Sequence, residues 1–267
     1  MKNIFVLSAI LLITYSCKKF EYSPYQVKPE FEIPHNVNSN NIEKILAAES
    51  AADDTVTVIF SGDSQRFYDR LQKLVAKVNT LQNVDFLIMC GDIADFGALQ
   101  EYLWIQKEFD KLNVPYLCTI GNHDVATNNG DIYESIYGVK NYSMLYKGYK
   151  FVFHDTNGRE YNFNGSVPNM YWLDDQLNDP AATWFVGVSH VPPYNTDFDR
   201  TLEEPYKNLF ASTPGFLLSL HGHVHDESDY EYYHDGVRYL TSNSVEHDEV
   251  VLLKFINGQV IKQMIPY

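Results

Sequence analysis

The stretch "TVTVIFSGDSQRFYDRLQKLVAKVNTLQNVDFLIMCGD", residues 55–92, decides the fold class. Its opening "TVTVIFSGD" is β-branched and apolar up to Gly62-Asp63, the composition of a buried strand. "RFYDRLQKLVAKVNTL" then carries apolar positions at helical spacing, and "VDFLIMCGD" is a second buried strand that again ends in Gly-Asp. A helix in "LQEYLWIQKEFDKL", residues 99–112, and a third strand in "VPYLCTIGNHD", residues 114–124, continue the alternation. Strands that alternate with helices pair in parallel, so the first half predicts an α/β sheet.

The second half reads differently. "YSMLYKGYKFVFHDT", residues 142–156, is a hairpin turned at Lys147-Gly148, and "MYWLDDQL", residues 170–177, is a short helix. "TWFVGVSH" and "GFLLSLHGH" are two more apolar strands. "VRYLTS", "EVVLLKFI" and "QVIKQMI" follow, the last two joined by Asn257-Gly258, a strong hairpin turn. The sequence shows no internal repeat, no low-complexity tract and no second domain.

Polar residues gather at the strand ends. "SLHGHVHDE", residues 219–227, sets His221, His223 and His225 on alternate positions, a third of the chain's 9 histidines. Alternate side chains of an extended segment share a face. Neutral imidazole is a common metal ligand, and on this stretch alone a metal site and a polar loop are equal readings. The other strands decide between them. They end in "GDSQ" (Asp63, Gln65), "GDIAD" (Asp92, Asp95), "GNHD" (Asn122, His123, Asp124) and "SHVPP" (His190). Ligands of α/β sheets bind at the carboxyl ends of the strands, so oxygen and imidazole donors converge on one rim. The glycine before Asp63, Asp92 and Asn122 is expected to permit the tight turn that aims each of them.

In order and spacing, "GD-x-Q", "GDIAD", "GNHD", "H-V-P-P" and "GHVH" resemble the motifs of the calcineurin-like metallophosphoesterases over about residues 56–245. The resemblance implies a four-layer αββα sandwich, two mixed β-sheets flanked by helices. It implies two divalent metal ions (Mn, Fe, Zn or Mg) and a small phosphate ester, mono- or diester, as substrate. By position, Asp63, Gln65, Asp92 and His225 would hold one ion. Asp92, Asn122, His190 and His223 would hold the other, with Asp92 shared. His123 would be the catalytic histidine, oriented by Asp124, and Asn122, His123 and Arg66 would contact the substrate. For Arg66 a surface arginine at a helix start is the competing reading. His221 is left over as a structural residue. The departure from the family pattern is Gln65, where histidine is usual; an amide oxygen suits harder ions than imidazole does. His154 and Asp155 are candidates for lining the pocket, and Asp95 for bracing its loop.

Composition bounds the rest. With 267 residues, 45% of them hydrophobic, the chain is one large domain or two small ones with ample core. A formal net charge of −15 argues against nucleic acid and anionic membrane surfaces. It also disfavours anionic substrates unless bound cations reverse the field locally.

"MKNIFVLSAILLITYSC", residues 1–17, reads as a secretory signal, too short to span a bilayer as a helix. Its end resembles a bacterial lipoprotein signal-peptidase site, with Thr14 where leucine is usual, which would make Cys17 the lipidated first residue. The alternatives are an ordinary cleaved signal and a retained anchor. The expected organisation is a signal peptide over 1–17, a tether over 18–54 and the metallophosphoesterase domain over 55–267. Within the tether "NIEKILAAES" is a short amphipathic helix. The expected location is the bacterial cell envelope, membrane-anchored through the lipid, at the outer membrane or facing the periplasm. Cys90 and Cys118 are expected to be buried free thiols, or a bridge if their strands are neighbours. Two further functions compete with a phosphoesterase: a binding protein that keeps the fold without turnover, suggested by Gln65, and an envelope protein that binds metal through the histidine cluster.

Overall fold

A computed structural model describes residues 33–49 and 54–267 of the chain. The proposed signal peptide and Cys17 lie outside the described residues. The first half runs α1 (Val37–Ala47), β1 (Val56–Ser61), α2 (Tyr68–Val78), β2 (Phe86–Cys90), α3 (Leu99–Phe109) and β3 (Tyr116–Thr119). Two short helices follow, α4 (Asn122–Val125) and α5 (Asp131–Tyr137). The second half holds β4 (Tyr142–Tyr146), β5 (Tyr149–Phe153), α6 (Met170–Leu177), β6 (Trp184–Val188), α7 (Arg200–Ser212) and β7 (Phe216–His221). It closes with β8 (Ser228–Tyr230), β9 (Arg238–Thr241), β10 (Glu249–Ile256) and β11 (Gln259–Pro266).

The strands form two mixed sheets, in the order β11-β10-β1-β2-β3 and β4-β5-β6-β7-β9-β8. β1, β2 and β3 are parallel, as are β5, β6, β7 and β9, while β10, β11, β4 and β8 run antiparallel to their neighbours. The period-2 alternation of side chains divides each central strand between two cores. Val58, Phe60, Phe86 and Ile88 meet Phe151, Val186, Leu218 and Leu240 between the sheets. Ile59 and Leu87 point outward onto Leu71 and Leu74 of α2 and Ile105 of α3. Val152 and Phe185 do the same on the second sheet, against Leu173 of α6 and Phe210 of α7. Each such side chain stabilises the fold by roughly 1.5–3 kcal/mol, which is why both faces of both sheets are covered. The result is the four-layer αββα sandwich that the motifs implied.

The same alternation settles the thiols. Cys118 pairs in register with Met89, one residue from Cys90 on the neighbouring strand. Cys90 therefore faces the core between the sheets and Cys118 the outer helices. Both are free, because side chains on opposite faces cannot meet across a disulfide.

Residues 33–49 correct the expected tether. α1 packs along β3, the edge of the first sheet, and replaces the missing neighbouring strand with asparagine side chains. The Cys118 amide donates to Oδ1 of Asn38 at 2.9 Å, and Nδ2 of Asn38 donates to the Cys118 carbonyl at 3.1 Å. Nδ2 of Asn41 donates to the Tyr116 carbonyl at 2.8 Å. The i, i+3 spacing puts both amides on one helix face, where they satisfy an edge that would otherwise invite pairing with another chain. The sequence placed this helix over residues 41–50 and missed both its start and its docking. It also gave no sign of α7, whose periodicity is interrupted by Pro205. There Asp199 caps the helix by accepting the Thr201 amide, and Tyr206 and Phe210, four residues apart, are buried.

Candidate metal centre

The carboxyl ends of β1, β2, β3, β6 and β7 converge at one rim, and the loops that leave β1, β2 and β7 are strained. Asp63, Asp92, His223 and His225 have φ of 55°, 50°, 68° and 67°. Non-glycine residues rarely occupy this left-handed region, and when they do the surroundings must hold them there. The ligand residues themselves thus take the turns that the sequence had assigned to the glycines before them. Gly121 serves a different purpose: a β-carbon there would lie 2.2 Å from Oδ1 of Asp92, so only glycine lets the two loops approach. Gly91 does adopt a positive φ, of 80°, and lies directly against the His190 ring.

Two groups of donors result. Asp63, Asp92 and His225 form one and Asp92, His190 and His223 the other, in each case with ligand atoms within 4.8 Å of one another. Asp92 belongs to both. Its Oδ2 lies 3.2 Å from Nε2 of His190, and its Oδ1 accepts the His123 amide at 2.9 Å. Oδ1 of Asn122 lies 2.9 Å from Nδ1 of His223 and 3.2 Å from Nε2 of His190, which joins it to the second group. Gln65 joins the first, with Nε2 at 3.5 Å from Nε2 of His225, itself 3.3 Å from Oδ1 of Asp63. The seven ligand candidates of the sequence therefore stand together.

The electrostatics fit a cation. Asp63 and Asp92 are buried side by side. Burial works against the charge of Asp92, but His190 and then His123 outweigh it and hold the carboxyl low. Burial likewise opposes a charged His190, and Asp92 overrides it, so that the imidazole is pushed up and carries a proton. The hydrogen bond that Asp63 accepts from it raises His225 in the same sense. Both shifts reflect the same attraction for positive charge, which a divalent ion beside the carboxylates would satisfy instead. His223 is different: burial and the neighbouring His190 push it down to about 4, leaving a neutral imidazole ready to ligate. Oε1 of Gln65 is buried and has no hydrogen-bond partner. A buried polar atom without a partner is costly, and an ion beside it would remove that cost.

His123 borders this centre, with Nε2 at 4.0 Å from Oδ2 of Asp92. Its Nδ1 lies 2.7 Å from the carbonyl oxygen of Asp95. The expectation that Asp124 orients the ring is corrected. Asp124 is fully buried and accepts the amides of Ile93, Ala94 and Gly121 and the hydroxyl of Tyr102. It ties the second strand-end loop to the third and does not touch the imidazole. Arg66 sits at the rim, exposed, and pairs with Asp95 at 3.4 Å. His154 and Asp155 are no part of the centre. His154 bonds the Val152 carbonyl and the Tyr206 hydroxyl, while Asp155 is taken up by Asn157 and Tyr161. His221 is buried against Ser189 and stacked on Tyr239. The residue that the sequence missed is Asp197, whose carboxylate lies 3.5 Å from Nε2 of His223. It stands in the loop "YNTDFD", outside every strand-end motif.

Residues 56–227 match the family model described as calcineurin-like phosphoesterase. The chain is 28% identical over 179 residues to the 3',5'-cyclic adenosine monophosphate phosphodiesterase CpdA of Pseudomonas aeruginosa, covering 60% of this chain and 61% of that protein. It is 26% identical over 172 residues to the probable glycerophosphodiester phosphodiesterase GpdQ of Arcobacter nitrofigilis, covering 58% and 62%. The matched region thus spans less than two thirds of either relative's length. The fold superposes on the purple acid phosphatase PPD1 of yellow lupin with a TM-score of 0.62 at 11% identity, over 79% of this chain and 51% of that one. The family match runs through every strand-end motif from Asp63 to His225, and the chain belongs to the calcineurin-like phosphoesterases.

Proposed function

We propose that this chain hydrolyses small phosphate esters, phosphodiesters foremost, at a dinuclear metal centre. The observation that carries the reading is the sharing of Asp92 between two adjoining donor groups. The family uses divalent metals. Asp63, Gln65, Asp92 and His225 would hold one ion, and Asp92, Asn122, His190 and His223 the other. Such a pair of ions polarises phosphoryl oxygens and lowers the pKa of water to near neutrality. The preference for diesters rests on the two relatives, whose names describe phosphodiesterases.

The protein's own groups do the rest. Asp92 is held by the His123 amide on one oxygen and faces His190 with the other, so it cannot swing away from either donor group. The Asp95 carbonyl keeps a proton on Nδ1 of His123, which leaves Nε2 as the nitrogen that faces the centre. In its protonated state that nitrogen can give a proton to the departing ester oxygen. The proposal extends to a lipid-anchored protein of the bacterial envelope, supported by the apolar run that ends at Cys17.

The test is turnover of bis(p-nitrophenyl) phosphate, cyclic AMP and p-nitrophenyl phosphate by the purified protein with Mn²⁺, before and after chelation. Hydrolysis that chelator abolishes and metal restores, with diesters preferred, supports the reading. Two ions bound with no turnover of any of the three esters favours the binding-protein alternative that Gln65 suggests.

A further inference from the structure

Two imidazoles of the centre have Nδ1 held by a main-chain carbonyl. Nδ1 of His190 meets the Cys90 carbonyl at 2.7 Å and Nδ1 of His123 the Asp95 carbonyl at 2.7 Å. On the far side of His223 from the second donor group stands a carboxylate instead: Oδ2 of Asp197, 3.5 Å from Nε2. We propose that Asp197 is a positioning residue for His223, fixing the tautomer in which Nδ1 is bare and faces the second donor group. The proposal rests on the dinuclear reading.

A neutral imidazole has one N–H and two nitrogens, and here both nitrogens face acceptors. Oδ1 of Asn122 lies 2.9 Å from Nδ1 and Asp197 lies beyond Nε2. Asn122 and Nδ1 are on the side of Asp92 and His190, so that side needs a lone pair if it is to hold an ion. The proton must then reside on Nε2, and a charged carboxylate is a stronger acceptor for it than an amide oxygen. A carboxylate on the remote nitrogen also makes an imidazole a better donor to a metal.

Asp197 is built to stay in place. Nη1 of Arg159 contacts both of its oxygens, at 3.1 and 3.3 Å. The Arg159 amide donates to the Asp197 carbonyl at 3.0 Å, so the two loops are joined by main chain and side chain together. Oδ1 of Asn195 accepts the Asp197 amide at 2.9 Å. His223 is fixed just as firmly from the other side, since its amide donates to the Asp63 carboxylate at 3.1 Å. The line Arg159–Asp197–His223 therefore runs from the surface to the second donor group, and the Asp197 carboxylate itself touches neither Gln65 nor His225 of the first.

The experiment is titration of the metal-free protein with Mn²⁺ by calorimetry, comparing wild type with Asp197→Asn, Asp197→Ala and His223→Ala. Circular dichroism confirms that each variant is folded. Asp197→Ala should weaken one of two ions by about 10–100-fold and leave the other unchanged, with Asp197→Asn in between. In the zinc-loaded wild type a slowly exchanging Nε2 proton of His223 should be visible by NMR, and it should disappear in Asp197→Ala. Unchanged affinities together with a retained proton signal overturn the proposal. So does complete loss of an ion in Asp197→Ala that equals the loss in His223→Ala, because Asp197 would then be a ligand. Failure of wild type to bind two ions sinks the dinuclear reading instead, and is told apart by that stoichiometry.

Discussion

The main-chain oxygen of Asp95 lies 2.7 Å from Nδ1 of His123. Because the acceptor is backbone, the side chain of residue 95 can change without releasing the ring. His123→Ala should keep the fold and the bound metal yet slow esters with poor leaving groups about 10²–10⁴-fold. Nitrophenyl esters, which need no proton, should lose much less. Asp95→Asn removes the partner of Arg66 but not the carbonyl, and should change kcat only a few-fold. Equal losses for alkyl and nitrophenyl esters in His123→Ala would count against proton donation.

Asp124 carries the opposite expectation. Its carboxylate accepts three amides and a tyrosine hydroxyl in a fully buried place. Asp124→Ala leaves those donors unpaired and should destabilise the protein by about 3 kcal/mol or more. Urea unfolding of the metal-free protein measures this directly. A variant of unchanged stability that had merely lost activity would return Asp124 to the role the sequence first gave it.

The edge of the first sheet yields a third prediction. Asn38→Ala and Asn41→Ala each remove side-chain bonds to β3 and should cost about 1 kcal/mol per bond. A chain starting at Asn40 loses Asn38 and the beginning of α1. It should therefore be less stable and more prone to self-association through β3 than one starting at residue 33. Light scattering and thermal melts of the two chains decide it, and identical behaviour would mean that α1 is dispensable.

Glu160 gives a pH dependence. Burial, and after it the charge of Asp197, pushes this carboxyl up to about 7 against the pull of Arg159; Asp92 adds a smaller push upward. Oε2 is buried without a partner. The folded chain then binds a proton that the unfolded chain has already released, so stability falls as pH rises from about 4.5 toward 7. Glu160→Gln should melt higher than wild type above pH 7 and equal to it below pH 4.5, with chelator present. The group is only half-buried, so solvent screening limits the gap to about 1 kcal/mol, or roughly 2–4 °C. A gap that is the same at every pH would place the effect in packing.

What the sequence made legible was local. A strand, a turn and a ligand occupy adjacent positions in "IFSGD", "LIMCGD" and "TIGNHD", so apolar runs and polar ends could be read together. The alternation that buries both faces of β1 and β2 was likewise visible as continuous apolar runs. What escaped depends on contacts across space. Asp197 meets His223 from a loop, and nothing in "YNTDFD" marks which of its two acids will do so. Asn38 and Asn41 look like linker asparagines until β3 is seen to lack a neighbour. Asp124 adjoins His123 in the chain, which suggested partnership, but the short helix α4 turns their side chains apart.

Gln65 provides the last prediction. Its side chain is 1% exposed, lies beside His225 and leaves Oε1 without a hydrogen bond. An amide oxygen so placed is expected to ligate the ion held by Asp63, Asp92 and His225. It is a weaker donor than imidazole toward Zn²⁺ or Fe²⁺, so this ion should be the more easily lost of the two and the site should lean toward Mn²⁺ or Mg²⁺. Gln65→His should then raise affinity for Zn²⁺ and shift the metal that best supports turnover. Gln65→Ala should weaken one ion and spare the ion near His223. Because Asp197 bears on the other group, the double variant Gln65→Ala/Asp197→Ala should weaken both ions, with the two effects coupled through the shared Asp92 rather than strictly additive. Titration with Mn²⁺ and Zn²⁺ reads all of these. If wild type, Gln65→Ala and Gln65→His bind both ions alike, Gln65 is no ligand, and its amide serves only to brace the loop against His225.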